Sequence, residues 1–458
     1  MRCRTYLFSV LIALIFPFLP PLTLPAAAQD DSGKLPLTYT LEDCIRIAER
    51  QSPAIIAASA EMKRTKGLIW EVWTSILSVN ADGTYTYFNT PPGSTFPANI
   101  FGPGIPATDV FMGVPSHETY NVGLQGTLPV FTGGRVVSGL AVAYLSDDIA
   151  GEQYRKAVND TLYNVRVAFY SILLAREVVT VRTEALDLLT RHLETTRLKY
   201  DVGVVSRFDV LRSEVEVANA RPPLISAKKD LVLAGETLKR VMGVDVIEPF
   251  EIEGELTFAE EAVDLDGLLK EADEASPELI IARKAERIAS KNVKMAFGEF
   301  LPVVTAFGRY EGNIYDEISW EQDDWAWDWT AGVMVSMPIT DLLVTAAKVK
   351  EARAEYTKAR VGMLDTANKV KLDIKGAYYD LVEAREIVDS QRLNIEAAEE
   401  AVKIAEVRYD NGISTLLELM DAQLALTSAR LNWLNALFGY EEAKARIEKI
   451  VGRKTLER

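Results

Sequence analysis

The chain is written twice. Gly123 to Gly243 aligns with Gly332 to Gly452 at one offset of 209 positions, without a gap. Pro129 falls on Pro338, Tyr170 on Tyr379, Arg176-Glu177 on Arg385-Glu386, and Tyr200-Asp201 on Tyr409-Asp410. Upstream, Leu41, Ser52 and Pro53 fall on Leu265, Ser276 and Pro277 at an offset of 224. Internal repeats outrank length as a guide to architecture, so each half must form one copy of the same unit. The difference between the offsets lies in the middle of each half. There the first half carries a Gly- and Pro-rich insertion, Pro91 to Pro115, that reads as a loop.

Each half has the same order of elements. A short helix starts after a polar cap (Thr40, Asp264) and stops at a Ser-Pro pair, since proline disfavours helix in the residue before it. An Ala-rich helix follows, 54–75 and 278–299. Then come two strand segments, a very long helix, a Gly-containing turn and a shorter returning helix. The expected organisation is a leader at 1–28, a first repeat at 29–245, a linker at 246–263 and a second repeat at 264–458. Strands are expected near 78–90, 118–131, 302–314 and 324–339. Helices are expected near 133–200, 206–242, 343–409 and 415–451. The long helices have coiled-coil spacing. Val370, Ile374, Ala377, Leu381, Ala384 and Val388 keep alternating 4- and 3-residue steps, and Val158, Leu162, Val165, Phe169 and Ile172 do the same. Pro222-Pro223 is expected to bend the first returning helix.

The start of the chain reads as a secretory signal peptide. Arg2 and Arg4 precede a short apolar run, Leu7 to Phe16, and Ala26-Ala27-Ala28 offers a small-residue cleavage site. Formal charge is −16, and loss of the two arginines makes it −18, which argues against binding nucleic acid through its phosphates. Beyond the leader one cysteine remains, Cys44, read as a small buried residue on a helix. Charges interrupt every later apolar run, so a membrane could be crossed only by a barrel.

The strand segments supply that barrel's pattern. Val79, Ala81, Gly83, Tyr85 and Tyr87 share one face and Ser78, Asn80, Asp82, Thr84 and Thr86 the other. Tyr120, Val122, Leu124 and Leu128 alternate with Asn121, Gln125 and Thr127. Trp325, Trp327, Trp329, Val333 and Val335 alternate with Asp324, Asp328, Thr330 and Ser336. Apolar-out, polar-in alternation with aromatic residues near the ends is the signature of a transmembrane barrel. Four strands cannot close one, because the smallest have about eight. Assembly is therefore forced, and this reasoning leaves a dimer, a trimer or more open.

Three segments carry a resemblance. Leu128-Pro-Val-Phe-Thr-Gly-Gly-Arg135 resembles the strand-to-helix junction of the TolC-like outer-membrane efflux and secretion ducts. Arg197-Leu-Lys-Tyr-Asp-Val-Gly-Val-Val-Ser-Arg-Phe-Asp-Val-Leu211 resembles that family's first hairpin tip. Arg408-Tyr-Asp-Asn-Gly-Ile-Ser-Thr-Leu-Leu-Glu-Leu-Met-Asp-Ala422 resembles the second. The resemblance implies a mainly α fold: tandem α-helical hairpins forming a periplasmic α-barrel, with four strands per chain in a shared 12-strand β-barrel of a homotrimer. It implies a seat in outer-membrane lipid, and partnership with a periplasmic adaptor and an inner-membrane transporter. It places the periplasmic constriction at Asp209, Glu418, Asp421 and Tyr409, and adaptor docking at Gly203, Val204, Gly412 and Ile413. Where the family has a basic residue that helps close the second tip, this chain has Ser414; Arg207 and Arg408 are the nearby cations.

The function expected is passive conduction through the exit duct of a tripartite efflux system, with no enzymatic step. His117 and His192 are scattered and form no metal or nucleophile constellation, so no cofactor and no metal is expected. Two alternatives remain: the outer-membrane component of a type I protein secretion system, and a non-pore periplasmic coiled-coil scaffold. The lipid-type aromatic stripes oppose the second.

Overall fold

The computed structural model describes residues 38–89, 93–96, 110–113, 118–244, 250–260, 263–315, 325–339 and 341–452. The expected leader and His117 lie outside the described residues. The fold is mainly helical. The first repeat contains α1 (Leu41–Gln51), α2 (Pro53–Thr74), strands β2 (Ser78–Tyr87) and β5 (Glu118–Phe131), α3 (Arg135–Asp201) and α4 (Arg207–Met242). The second contains α5 (Leu265–Ala275), α6 (Pro277–Gly298), β7 (Val303–Tyr315), β8 (Ala326–Ser336), α7 (Leu342–Asp410) and α8 (Leu416–Val451). Matching helices have 11 and 11, 22 and 22, 67 and 69, and 36 and 36 residues. The long ones extend roughly 100 Å.

Local chemistry sets the boundaries. Thr40 and Asp43 close a capping box on α1, and the carboxylate of Asp264 accepts from the backbone N–H groups of Asp266 and Gly267 at the start of α5. Proline occupies the first position of both α2 and α6. The long helix of the first repeat begins at Arg135 rather than 133, because Gly133 and Gly134 both take positive φ, 63° and 80°. One expectation needs correction. The insertion at 91–115 is not wholly irregular: β3 (Gly93–Phe96) and β4 (Val110–Gly113) form an antiparallel ribbon inside it. Pro222 and Pro223 lie within α4, which runs as one helix from Arg207 to Met242 and packs along α3.

Two equivalent cores hold the waist. In the first repeat Cys44, Ile45 and Ala48 of α1 pack with Val165, Phe169, Ile172 and Leu173 of α3 and Leu238 and Met242 of α4. In the second, Leu268 and Ala272 of α5 pack with Ile374, Ala377 and Leu381 of α7 and Tyr440, Ile447 and Val451 of α8. Cys44 holds the place of Leu268, and burial pushes its thiol up to about 12. The linker between repeats is held at two points by repeat-equivalent arginines. Arg176 donates to the carbonyl of Gly254 at 2.6 Å, and Arg385 meets Glu260 at 3.1 Å. Before the linker's anchors, β6 (Glu251–Ile252) pairs in parallel with β1 (Thr38–Tyr39).

The strands form one antiparallel sheet in the order β2-β5-β7-β8. Its two faces differ as their residues do. On one, Tyr85 lies against Tyr120 with ring centroids 5.1 Å apart, and Tyr310 stacks on Trp327 at 5.1 Å. On the other, Arg309 bridges Glu311 at 2.7 Å and Asp82 at 3.5 Å, and Asn121 donates to Asn313. Both edges, β2 and β8, are unpaired among the described residues of the single chain.

Helix packing between the repeats is one-sided. The first repeat's long helix α3 packs against α6 and α8 of the second repeat, besides its own α2 and α4. The second repeat's long helix α7 packs on its own α6 and α8. Among the described residues it makes no extended contact with α2 or α4.

Candidate entrance at the hairpin tips

Each hairpin turns through the same local geometry. At the first tip the N–H of Gly203 reaches the carbonyl of Tyr200 at 2.9 Å, and the N–H of Val204 that of Lys199 at 2.8 Å. At the second, Gly412 reaches Tyr409 at 3.1 Å and Ile413 reaches Arg408 at 2.8 Å. This paired 5→2 and 6→1 arrangement is the Schellman motif. It demands a left-handed residue, supplied by Gly203 (φ 75°) and Gly412 (φ 70°). The next residue in each turn projects outward: Val204 is 71% and Ile413 69% exposed. Each turn thus presents an apolar knob, and Val202 and Phe208 stand exposed beside Val204.

The acidic residues after the turns are not equivalent. Ser206 and Asp209 form a reciprocal capping box: one Asp209 oxygen accepts from the Ser206 N–H at 3.0 Å and from its hydroxyl at 2.7 Å. That carboxylate caps its own helix. Glu418 sits at the matching position, but there only Thr415 caps, accepting from the Glu418 N–H at 3.4 Å. The Glu418 side chain instead lies 3.9 Å from Arg408. Asp421, one turn further along α8, is exposed and makes no ion pair among the described residues. Glu418 and Asp421 therefore share a helix face as an acidic pair with at most one loose cation.

Tyr409 is buried against Leu416 and Leu419 inside the second hairpin. Lys199 lies over its ring, 4.3 Å from the centroid, and also 3.5 Å from Asp410. The Tyr409 hydroxyl and the Ser414 hydroxyl are both buried without a hydrogen-bond partner among the described residues.

Above the tips lies a polar layer that sequence reasoning missed. His192 of α3 faces Gln423 of α8, with the Gln423 amide nitrogen 2.6 Å from His192 Nε2, and Thr196, one turn along α3, is buried. Burial lowers the His192 pKa, against the opposing pull of Glu406 and Asp410. A signal was available. Thr196 and Gln423 occupy core positions at helical spacing, after Leu193 and after Leu416 and Leu419.

The sequence model of the outer membrane efflux protein family matches residues 97–244 and 268–453. The chain is 25% identical over 370 residues to outer membrane efflux protein BepC of Brucella suis, covering 80% of this chain and 78% of that protein. It is 21% identical over 358 residues to outer membrane protein TolC of Escherichia coli, covering 74% and 70%. A solved membrane protein from Pseudomonas aeruginosa superposes with a TM-score of 0.77 at 16% identity, covering 91% of this chain and 92% of that one. At that identity the likeness speaks to the fold.

Proposed function

The chain belongs to the outer membrane efflux protein family, and from that premise we propose that it is the exit duct of a tripartite envelope-spanning efflux system. It resides in the outer membrane with its helical tube in the periplasm. Three copies would join their four-stranded sheets into a 12-stranded barrel. The helical hairpins continue the conduit toward a periplasmic adaptor and an inner-membrane transporter. Substrates pass through by diffusion, and the duct itself makes and breaks no bonds.

One observation carries this reading: the sheet has one aromatic, apolar face, one charged face and two open edges. Lipid tolerates a sheet only when every strand edge is paired. A sheet of this kind is complete in a bilayer only as part of a closed barrel. At the other end, Glu418 and Asp421 from each copy would ring the entrance, where a confined set of like charges favours cations. Val204 and Ile413 are the apolar contacts for the adaptor.

The test pairs two measurements on detergent-solubilised protein: its mass and its single-channel conductance in a planar bilayer. The expected result is the mass of three chains and discrete conductance steps. A monomer without conductance refutes the duct. A conducting assembly of another size refutes the trimer alone.

A further inference from the structure

The charged face of the sheet is interrupted by two apolar side chains. On β7 that face carries Thr305, Arg309, Glu311 and Asn313, yet Phe307 stands among them. On β8 Met334 stands on it between Gly332 and Ser336. Register sets Phe307 opposite Thr127 of β5 and Gly332 of β8, and Met334 opposite Thr305. The Phe307 ring lies across Gly332: a Cβ there would meet its Cζ at 3.0 Å and its Cε1 at 3.2 Å. A glycine in a strand interior permits such a close approach. Met334 is 55% exposed, so packing within the chain does not account for it.

Further along the strands, one rung of the same face collects carboxylates. Asp82 stands opposite Gly123, Gly123 opposite Glu311, and Glu311 opposite Asp328. Among the described residues of these four strands Arg309 is the one basic side chain, and it already holds Glu311 at 2.7 Å and Asp82 at 3.5 Å. Asp328 is exposed and makes no ion pair among the described residues. Three carboxylates against one guanidinium leave this level negative. It lies four residues from Phe307 along β7, roughly 14 Å at the rise of an antiparallel strand.

We propose that this wall is a binding site for organic cations that carry an aromatic body. The body rests on Phe307 and Met334, and the carboxylate rung attracts the charge. An aromatic face draws a cation through its quadrupole, and a thioether makes favourable contact with an aromatic ring. The field of the rung extends over the interval between them at low ionic strength. A bare metal ion would engage the carboxylates and gain nothing from the ring. An anion meets an opposing field. The proposal rests on the duct reading, which makes this face the lining of the conduit. It adds where in the barrel a solute lingers and which chemistry holds it.

The test uses single channels of the full-length protein in a planar bilayer, with benzyltrimethylammonium added on the outer side. The expected result is brief interruptions of the current. Phe307→Leu, which keeps bulk without the ring, should shorten them roughly two- to fivefold, the range of an exposed cation–ring contact. Met334→Thr, which restores a polar side chain, should shorten them as well, so that a folding defect in one variant does not decide the matter. Raising salt to about 1 M should shorten them in the native protein. Benzenesulfonate, with a ring and the opposite charge, and tetramethylammonium, with the charge and no ring, should give none. A conducting native channel without interruptions, interruptions of equal length in both variants, or an equal response to either control ion overturns the site while leaving the duct. Native protein without conductance steps overturns both.

Discussion

The side-chain amide nitrogen of Gln423 lies 2.6 Å from Nε2 of His192, across the joint between the first and second repeats. An amide nitrogen can only donate, so this ring nitrogen must accept and be unprotonated. The half-buried neutral ring fits its lowered pKa.

From that follows a pH dependence. Burial holds the folded pKa of His192 below its ordinary value of 6.5. Above that value both folded and unfolded chains carry a neutral ring. As pH falls below it the unfolded chain takes up the proton first, so stability at this joint is lost toward acid. Thermal unfolding compared on the two sides of that value is expected to show a larger acid penalty for the native chain than for His192→Leu. Equal penalties would remove His192 from the account.

At the tips, the two halves should answer mutation differently. Asp209→Ala removes half of a capping box and should cost about 1 kcal/mol in the first turn of α4, read as faster amide exchange there. Glu418→Ala with Asp421→Ala leaves the Thr415 cap in place and should change the pore rather than the helix. Altered single-channel conductance and weaker block by a divalent cation are expected. If both quantities are unchanged, the acidic ring is not at these residues.

The knobs Val204 and Ile413 are largely exposed in the chain. Replacing both by Glu should abolish cross-linking to the adaptor while the mass of the solubilised assembly stays the same. Retained cross-linking would place the docking contact elsewhere.

A fourth prediction concerns the junction of sheet and helices. Gly298, the last residue of α6, packs so close to Gly133 that a Cβ on it would lie 2.6 Å from the Gly133 carbonyl oxygen. That neighbour is backbone and cannot rotate away. Gly298→Ala should destabilise the fold by about 1–3 kcal/mol, measured as a lower midpoint of thermal or denaturant unfolding. An unchanged midpoint would mean that the junction yields.

Much of this was legible in the residues. A gapless repeat specifies one unit twice, and the buried set Val370, Ile374, Ala377, Leu381, Ala384 and Val388 is the one its spacing picks out. Turn glycines and N-terminal caps act over a few residues, so Gly203, Gly412, Thr40 and Asp264 declared themselves. The ribbon in the insertion was hidden, because its short strands lie among glycines and prolines. The divergence of Asp209 from Glu418 was hidden too, since both stand three residues after a capping hydroxyl and only side-chain conformation separates them.

What the sequence alone determined is therefore the unit: its helices, its strand faces, its turns and its repetition. What only the tertiary structure decided is which unit covers which. The two repeats share one pattern of helices, turns and apolar spacing, so periodicity cannot say whether α3 or α7 receives the other repeat's helices. Long-range packing broke that degeneracy in favour of α3, set His192 against Gln423, and left α7 without a matching cover among the described residues.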